Sequence, residues 1–265
     1  MLQSKLHPVD ETGAVQINGA FYSCLVHCMM PILADVMTNQ FGNYLCQKII
    51  EAADPEILQA VVAQILPRLV DVSLNIHGTR AVQTLIDKVA ANVLCGGGML
   101  AHNTLVQVIA ALNREVVELT MDMHGNHVIQ AFLMIFRASH HPADQDLAGS
   151  EMTSQYTQFI FDACMQNCVE IGMHKHGCCV MQRCLEKGTQ SQKLQLANFI
   201  IEHMKYLIED PYGNYLVQNV LKLEDEERNE SIFKEIAKDF IRLSQLKFSS
   251  NVIEKCLDSK LNKSI

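Results

Sequence analysis

An all-α fold, an α-solenoid of three-helix units, is what the sequence predicts, and three observations predict it. A short polar-and-apolar motif recurs six times along the 265 residues: "FGNYLCQ" (41–47), "HGTRAVQ" (77–83), "HGNHVIQ" (124–130), "HGCCVMQ" (176–182), "YGNYLVQ" (212–218) and "SSNVIE" (249–254). The last polar residues of the motifs are Gln47, Gln83, Gln130, Gln182, Gln218 and Glu254. They follow one another at 36, 47, 52, 36 and 36 residues, so 36 is the unit and two intervals carry insertions. Between motifs the apolar residues keep helical spacing, and one such unit cannot bury its apolar faces without a neighbour.

The elements follow in chain order. Residues 1–19 read as an extension: "MLQSKLHPVDETGAVQ" is polar and mixed in charge, with no secretory n- and h-region. Residues 20–265 read as one repeat domain. Its first stretch, "AFYSCLVHCMMPILADVMTNQ", looks like the tail of a degenerate first repeat. His27, Pro31 and Asp35 interrupt Ala20–Met37 too often for a membrane span. After Gln47, Asp54 is placed to cap a helix with Pro55 at its first position. Leu58, Val61, Val62, Ile65 and Leu66 form the helical stripe, and Pro67 ends it or starts a shorter helix before the next motif. The insertions are the glycine-rich "LCGGGMLAHN" (94–103) and the polar "RASHHPADQDLAGSEMTSQ" (137–155), both expected as surface excursions between helices. No further motif follows residue 254, so the C-terminal end is expected to be truncated, exposed or covered by a partner, because a solenoid needs polar caps.

Composition narrows the function. The chain is 49% hydrophobic and 19% charged, which fits a compact protein rather than a disordered one. A net charge of −8 counts mildly against nucleic acid, although it does not say which face carries which sign. Ten cysteines lie mostly within apolar helical patterns, where Cys acts as a small hydrophobe, and a reducing cytosol or nucleus is expected. His174, His176, Cys178, Cys179 and Cys184 crowd together, but the Cys spacing matches no paired zinc motif: helical phase places Cys178 on the face of the paired polar residues and Cys184 reads as core, while Cys24, His27 and Cys28 read as packing. No phosphate-binding loop, dinucleotide fingerprint or triad appears, so no metal, cofactor or catalysis is expected.

The motifs themselves carry the functional signal. Residues i and i+4 of a helix lie one above the other, with i+1 flanking them. Asn43 with Gln47, Asn126 with Gln130 and Asn214 with Gln218 therefore make amide pairs, beside Tyr44, His127 and Tyr215. Any one pair is ordinarily explained by backbone satisfaction. That explanation does not account for the aromatic, Arg or His so often found at the flanking position, or for Glu254 replacing Gln in the last unit alone.

These six motifs, ending in "SNVIEKC", resemble the RNA-reading helices of the Pumilio (PUF) family over residues 33 to 257. The resemblance implies a right-handed, armadillo-like superhelix of Pumilio-type three-helix repeats. It implies that two side chains per repeat meet the edge of one base while the residue between them stacks on bases. Asn43/Gln47, Asn126/Gln130 and Asn214/Gln218 would read uracil, Cys178/Gln182 adenine and Ser250/Glu254 guanine. Thr79/Gln83, which departs from the usual Cys or Ser, would read adenine with relaxed specificity. Tyr44, Arg80, His127 and Tyr215 would stack; Cys179 and Asn251 occupy the same place and are poorer platforms. Because the family binds RNA antiparallel, the pairs read 5′-GUAUAU-3′, the core of a UGUA-type element. Family domains usually have eight repeats; the six here correspond to the second through seventh.

The resemblance implies a non-catalytic, cytoplasmic binder of single-stranded RNA in mRNA 3′ untranslated regions, lowering translation or stability through protein corepressors. No small-molecule substrate or membrane is implied. Lys48, Arg183 and Lys255, each following an anchor, are candidates for phosphates. The competing readings are an armadillo- or HEAT-like protein scaffold, favoured slightly by the acidity, and a divergent PUF relative that binds RNA without sequence preference.

Overall fold

The computed structural model describes residues 19–136 and 147–258, and among them every regular element is a helix. The chain divides into two compact units, Met1–Glu115 with Met123–Ala131, and Val116–Asp122 with Phe132–Ile265. The division falls inside the third repeat, and both units are built from the same kind of repeat.

In the first unit, α1 (Gly19–Met29), a 3-10 turn (Met30–Ile32) and α2 (Leu33–Met37) lead into the first motif helix, α3 (Gly42–Ala52). Tyr22 ties α1 to α3 through a buried hydrogen bond from its hydroxyl to the Ile49 carbonyl at 2.9 Å. Helix α4 (Pro55–Ile65) starts where the sequence places it, with Asp54 Oδ1 accepting from the Ile57 N–H at 2.8 Å and Pro55 in the first turn. Pro67 sits in a 3-10 turn (Leu66–Arg68), after which α5 (Leu69–Leu74) and the second motif helix, α6 (Gly78–Leu94), complete a three-helix unit. Leu58, Val61, Val62 and Ile65 of α4, Leu69 and Val72 of α5, and Val82, Leu85 and Ile86 of α6 are buried.

The 94–103 insertion is not a loop excursion. Only Cys95–Gly97 turns; the rest lengthens α6 to 17 residues and the following α7 (Gly98–Asn113) to 16, against 11 each for α3 and α4. Gly96 and Gly98 take positive φ, 81° and 65°, and the Gly97 N–H closes the end of α6 on the Asn92 carbonyl. The sequence after the glycines then buries Ala101, Leu105, Val108 and Leu112 at helical spacing. The glycine run misleads because it punctuates two long helices rather than filling a loop.

Helix α8 (Val116–Met121) precedes the third motif helix, α9 (Gly125–Ile135). In the second unit, residues 147–155 of the predicted excursion belong to the 20-residue α10 (Leu147–Gln166), so this part too is helical; 137–146 lie outside the described residues, as do 1–18 of the predicted extension. There follow α11 (Cys168–Gly172), the fourth motif helix α12 (Lys175–Lys187), α13 (Gln190–Glu202) with a Thr189–Gln192 capping box, α14 (Met204–Leu207), the fifth motif helix α15 (Gly213–Leu221), α16 (Glu226–Ala237), α17 (Phe240–Ser244) and the sixth motif helix α18 (Ser249–Asp258). Within each unit successive motif helices pack together: α3 on α6 in the first, and α12 on α15 and α15 on α18 in the second. Cys168 and Met204 are buried at equivalent places, as are Leu185 and Leu221. Their counterparts in the sixth unit, Phe240 and Leu257, are 51% and 73% exposed.

The motif glycines are helical and serve close approach, not a left-handed turn. A Cβ on Gly78 would stand 2.4 Å from the Val72 carbonyl oxygen and 2.7 Å from its Cγ1. Gly78→Ala is therefore expected to cost about 1–3 kcal/mol, the usual penalty for forcing an extra carbon into a packed contact. A fall in the urea midpoint at unchanged m-value would show it; an unchanged midpoint would mean the helix start is not clamped.

Candidate nucleic-acid interface

Each motif helix is set by the turn before it. Asn39 Oδ1 accepts from the N–H groups of Phe41 and Gly42, both at 2.9 Å; Asn75 Oδ1 does the same for His77 and Gly78, and Asp210 Oδ1 for Tyr212 and Gly213. In the fourth motif His174 Nδ1 takes this place, accepting from His176 and Gly177 at 3.3 and 3.5 Å. These oxygens and this nitrogen satisfy N–H groups that a helix start leaves orphaned. The sequence reading missed them, although an Asn, Asp or His three residues before each motif glycine was a visible signal.

Within the first five motif helices the predicted i, i+4 pair is bonded. Gln47 donates through Nε2 to Asn43 Oδ1 at 3.0 Å, Gln130 to Asn126 Oδ1 at 2.8 Å and Gln218 to Asn214 Oδ1 at 2.9 Å. The asparagines donate in turn to carbonyls of the preceding turn: Asn43 to Asn39 and Gln40, Asn126 to Met123, Asn214 to Asp210 and Pro211. The first member of each pair is thus fixed from below and holds the second. The five first members Asn43, Thr79, Asn126, Cys178 and Asn214 are only 1–4% exposed, while the five glutamines are half-buried. Each glutamine keeps its carbonyl oxygen and one N–H for an outside partner, an acceptor beside a donor.

Thr79 and Cys178 are built differently from the asparagines and alike to each other. Thr79 Oγ1 donates to the His124 carbonyl at 3.1 Å, and Cys178 Sγ to the Tyr212 carbonyl at 3.1 Å. Both acceptors belong to the residue just before the next motif glycine. Gln83 Nε2 donates to Thr79 O (3.1 Å) and Oγ1 (3.3 Å), and Gln182 Nε2 to Cys178 Sγ at 3.0 Å. The shared bond makes Thr79 the structural counterpart of Cys178, a likeness that residue type alone did not reveal. Burial pushes the Cys178 thiol up to about 11, against the lowering effect of the Gln182 bond, so the group stays a thiol near neutral pH.

The sixth pair stands apart. Among the described residues Ser250 donates to the Lys247 carbonyl, at 3.3 Å, and Glu254 is exposed with no bond to Ser250. Its carboxylate is an acceptor at both oxygens.

The predicted stacking residues face solvent. Tyr44 and Tyr215 are 58% and 51% exposed, and Arg80, His127, Cys179 and Asn251 are exposed. The phosphate candidates are mixed: Lys48 pairs with Glu51 at 2.6 Å and Arg183 with Glu186 at 2.8 Å, whereas Lys255 has no ion pair among the described residues. Of the crowded His and Cys residues, His174 caps its helix and Cys184 is wholly buried.

The repeats also match those of known proteins. The Pumilio-family RNA binding repeat matches residues 33–66, 68–91, 115–134, 167–201, 203–237 and 240–259, more than half of the chain. A Pumilio domain-containing protein of Schizosaccharomyces pombe is 38% identical over 227 residues, covering 86% of this chain and 30% of that protein. Pumilio homolog 12 of Arabidopsis thaliana is 31% identical over 228 residues, covering 85% of this chain and 34% of its own length. The chain thus spans about a third of the length of these relatives. Among solved structures, the Puf4 RNA-binding domain bound to an HO endonuclease RNA 3′ UTR recognition sequence superposes with a TM-score of 0.75 at 33% identity, over 91% of this chain and 68% of that one. The RNA-binding domain of yeast Puf5p bound to MFA2 RNA gives 0.78 at 28% identity, over 97% and 64%. The fold class is that of the α-solenoid built from Pumilio-type repeats.

The environments of Cys178 and Cys179 make a direct check possible. Thiolates are the species that alkylate. Iodoacetamide at pH 8 is expected to label exposed Cys24, Cys28, Cys95 and Cys179 and to spare Cys178, as read by peptide mass spectrometry. Early labelling of Cys178 would contradict the bonded, buried first position.

Proposed function

We propose that this chain, which belongs to the Pumilio (PUF) family of RNA-binding repeat proteins, reads single-stranded RNA one base per repeat and prefers the core 5′-GUAUAU-3′. The observation that carries this reading is the ordered series of pairs. Five motif helices hold a glutamine by a bond to a buried neighbour, and the sixth offers an unbonded carboxylate.

The chemistry follows from what each pair has left to offer. Uracil presents an N–H between two carbonyl oxygens, and a glutamine with a free oxygen and a free N–H answers two of these. Asn43/Gln47, Asn126/Gln130 and Asn214/Gln218 are accordingly assigned uracil. Adenine presents an amino group beside a ring nitrogen, which the same glutamine edge can meet, leaving its C–H side against a small neighbour. Cys178/Gln182 and Thr79/Gln83 are assigned adenine, the shared inter-repeat bond supporting the same base at both. Guanine presents two adjacent N–H donors, which suit the free Glu254 carboxylate beside Ser250. Tyr44, Arg80, His127 and Tyr215, exposed next to the pairs, are assigned to stacking, where each contact contributes about 1–3 kcal/mol in favourable cases; Cys179 and Asn251 contribute less.

The acid balance bears on affinity. With Lys48 and Arg183 already paired to glutamates, phosphate contacts are few and base contacts carry the binding, so a shallow salt dependence is expected. The 3′ UTR recognition sequence bound by the Puf4 domain supports a role in mRNA 3′ untranslated regions. Binding there would repress translation or stability by recruiting protein corepressors in the cytoplasm, with no catalysis or cofactor of its own.

Fluorescence anisotropy with labelled UGUAUAUA tests this. Binding is expected to weaken at least about tenfold when the G becomes C, or when the following U becomes G, since each mismatch forfeits one or two hydrogen bonds and leaves polar groups unpaired. Equal binding of all three RNAs would leave a non-specific RNA binder. No binding at low salt would leave a protein scaffold.

A further inference from the structure

In five motifs the residue before the first reader is glycine; in the sixth it is Ser249. The glycines admit a carbonyl six residues earlier. A Cβ on Gly42, Gly78, Gly177 or Gly213 would lie 2.6, 2.4, 2.4 or 2.7 Å from the carbonyl oxygens of Val36, Val72, Ile171 and Leu207. Ser249 stands six residues after Leu243 and does carry a Cβ, so α18 must start farther from that carbonyl. Its hydroxyl spans the gap, donating to Leu243 O at 2.7 Å in a fully buried position. The cap differs too: where the side chains of Asn39, Asn75, His174 and Asp210 accept two N–H groups, the sixth motif has Leu246, whose side chain has no acceptor.

We infer that Ser249 is a positioning residue for guanine selection: its Cβ holds the start of α18 outward so that Ser250 and Glu254 stand clear of the core. This rests on the reading of the motifs as base readers. Two observations fit it. Ser250 is half-buried where its five counterparts are 1–4% exposed, and Glu254 is exposed where the five glutamines are half-buried. The physical reason lies in charge. An ionised carboxylate costs far more to remove from water than an amide does, so a glutamate sunk to the depth of the glutamines would lose solvation before any base arrived. The one acidic reader therefore sits on the one motif helix that a glycine does not let sink.

The test compares Ser249→Gly and Ser249→Ala with the wild-type chain, using UGUAUAUA and the same RNA with the G changed to A. Ser249→Gly recreates the residue of the other five motifs, so the helix can form. It is expected to lower the preference for G over A by about tenfold, the worth of one charge-assisted hydrogen bond misplaced. Ser249→Ala keeps the Cβ and is expected to stay within about threefold of wild type, since it loses only one neutral hydrogen bond. Preference for U at the Asn214/Gln218 position should not move in either variant, which separates positioning from general loss of stability. Ser249→Gly with wild-type selectivity, or Ser249→Ala as damaging as Ser249→Gly, would overturn the inference alone. A wild-type chain without preference for G would overturn the base-reader assignment as well.

Discussion

The constraint on which the rest depends is the close approach between the first residue of a motif helix and a carbonyl six residues before it. At Gly78 and Gly177 the oxygen would lie 2.4 Å from any Cβ, so only glycine fits while the short preceding helix keeps its place. That approach sinks the first turn of the motif helix into the core and carries Asn43, Thr79, Cys178 and Asn214 into burial. A buried amide, hydroxyl or thiol has to find partners, and each finds one in its own turn or in the next repeat. Having been fixed, it can hold the glutamine one turn on. Close packing at one atom thus becomes the orientation of a polar edge at the surface.

The proposed recognition and the stability of the motif helices consequently share atoms. The asparagines bond to carbonyls of the turn before their own helix, whereas Thr79 and Cys178 bond across to the next motif at His124 and Tyr212. Replacing the first member of a pair changes how its helix is tied down as well as the polar edge that the pair presents. The flanking residue is exempt, because Tyr44, Arg80, His127 and Tyr215 are exposed to solvent. Two of the cations next to the anchors, Lys48 and Arg183, are paired with i, i+3 glutamates.

Much of this was legible in the sequence, for identifiable reasons. The 36-residue spacing, the Asp54–Pro55 helix start and the pairing of Asn43 with Gln47 all follow from helix geometry and repeat arithmetic, which need no tertiary information. The glycine-rich stretch at 94–103 misled because glycine signals a break without saying how long it is. The break is three residues, and buried Ala101, Leu105 and Val108 continue the helix beyond it. The caps at Asn39, Asn75 and Asp210 could have been found from their fixed place before each glycine. The bonds of Thr79 to His124 and of Cys178 to Tyr212 could not, since they join residues 45 and 34 apart whose contact exists only once the repeats are stacked. Nor does sequence show that Ser249 occupies a slot where others need glycine, until the distances to Val36, Val72, Ile171 and Leu207 are known.

The central claim is that each buried–half-buried pair chooses its base by what its polar edge leaves free. The most direct measurement is the base preference of the double variant Asn214→Ser/Gln218→Glu at the position assigned to that pair, using four RNAs that differ only there. Selection of guanine over uracil, by about tenfold or more as expected for exchanging complementary for unpaired hydrogen-bonding groups, is the predicted result. Continued preference for uracil, or an equal loss of affinity for all four RNAs, would contradict it.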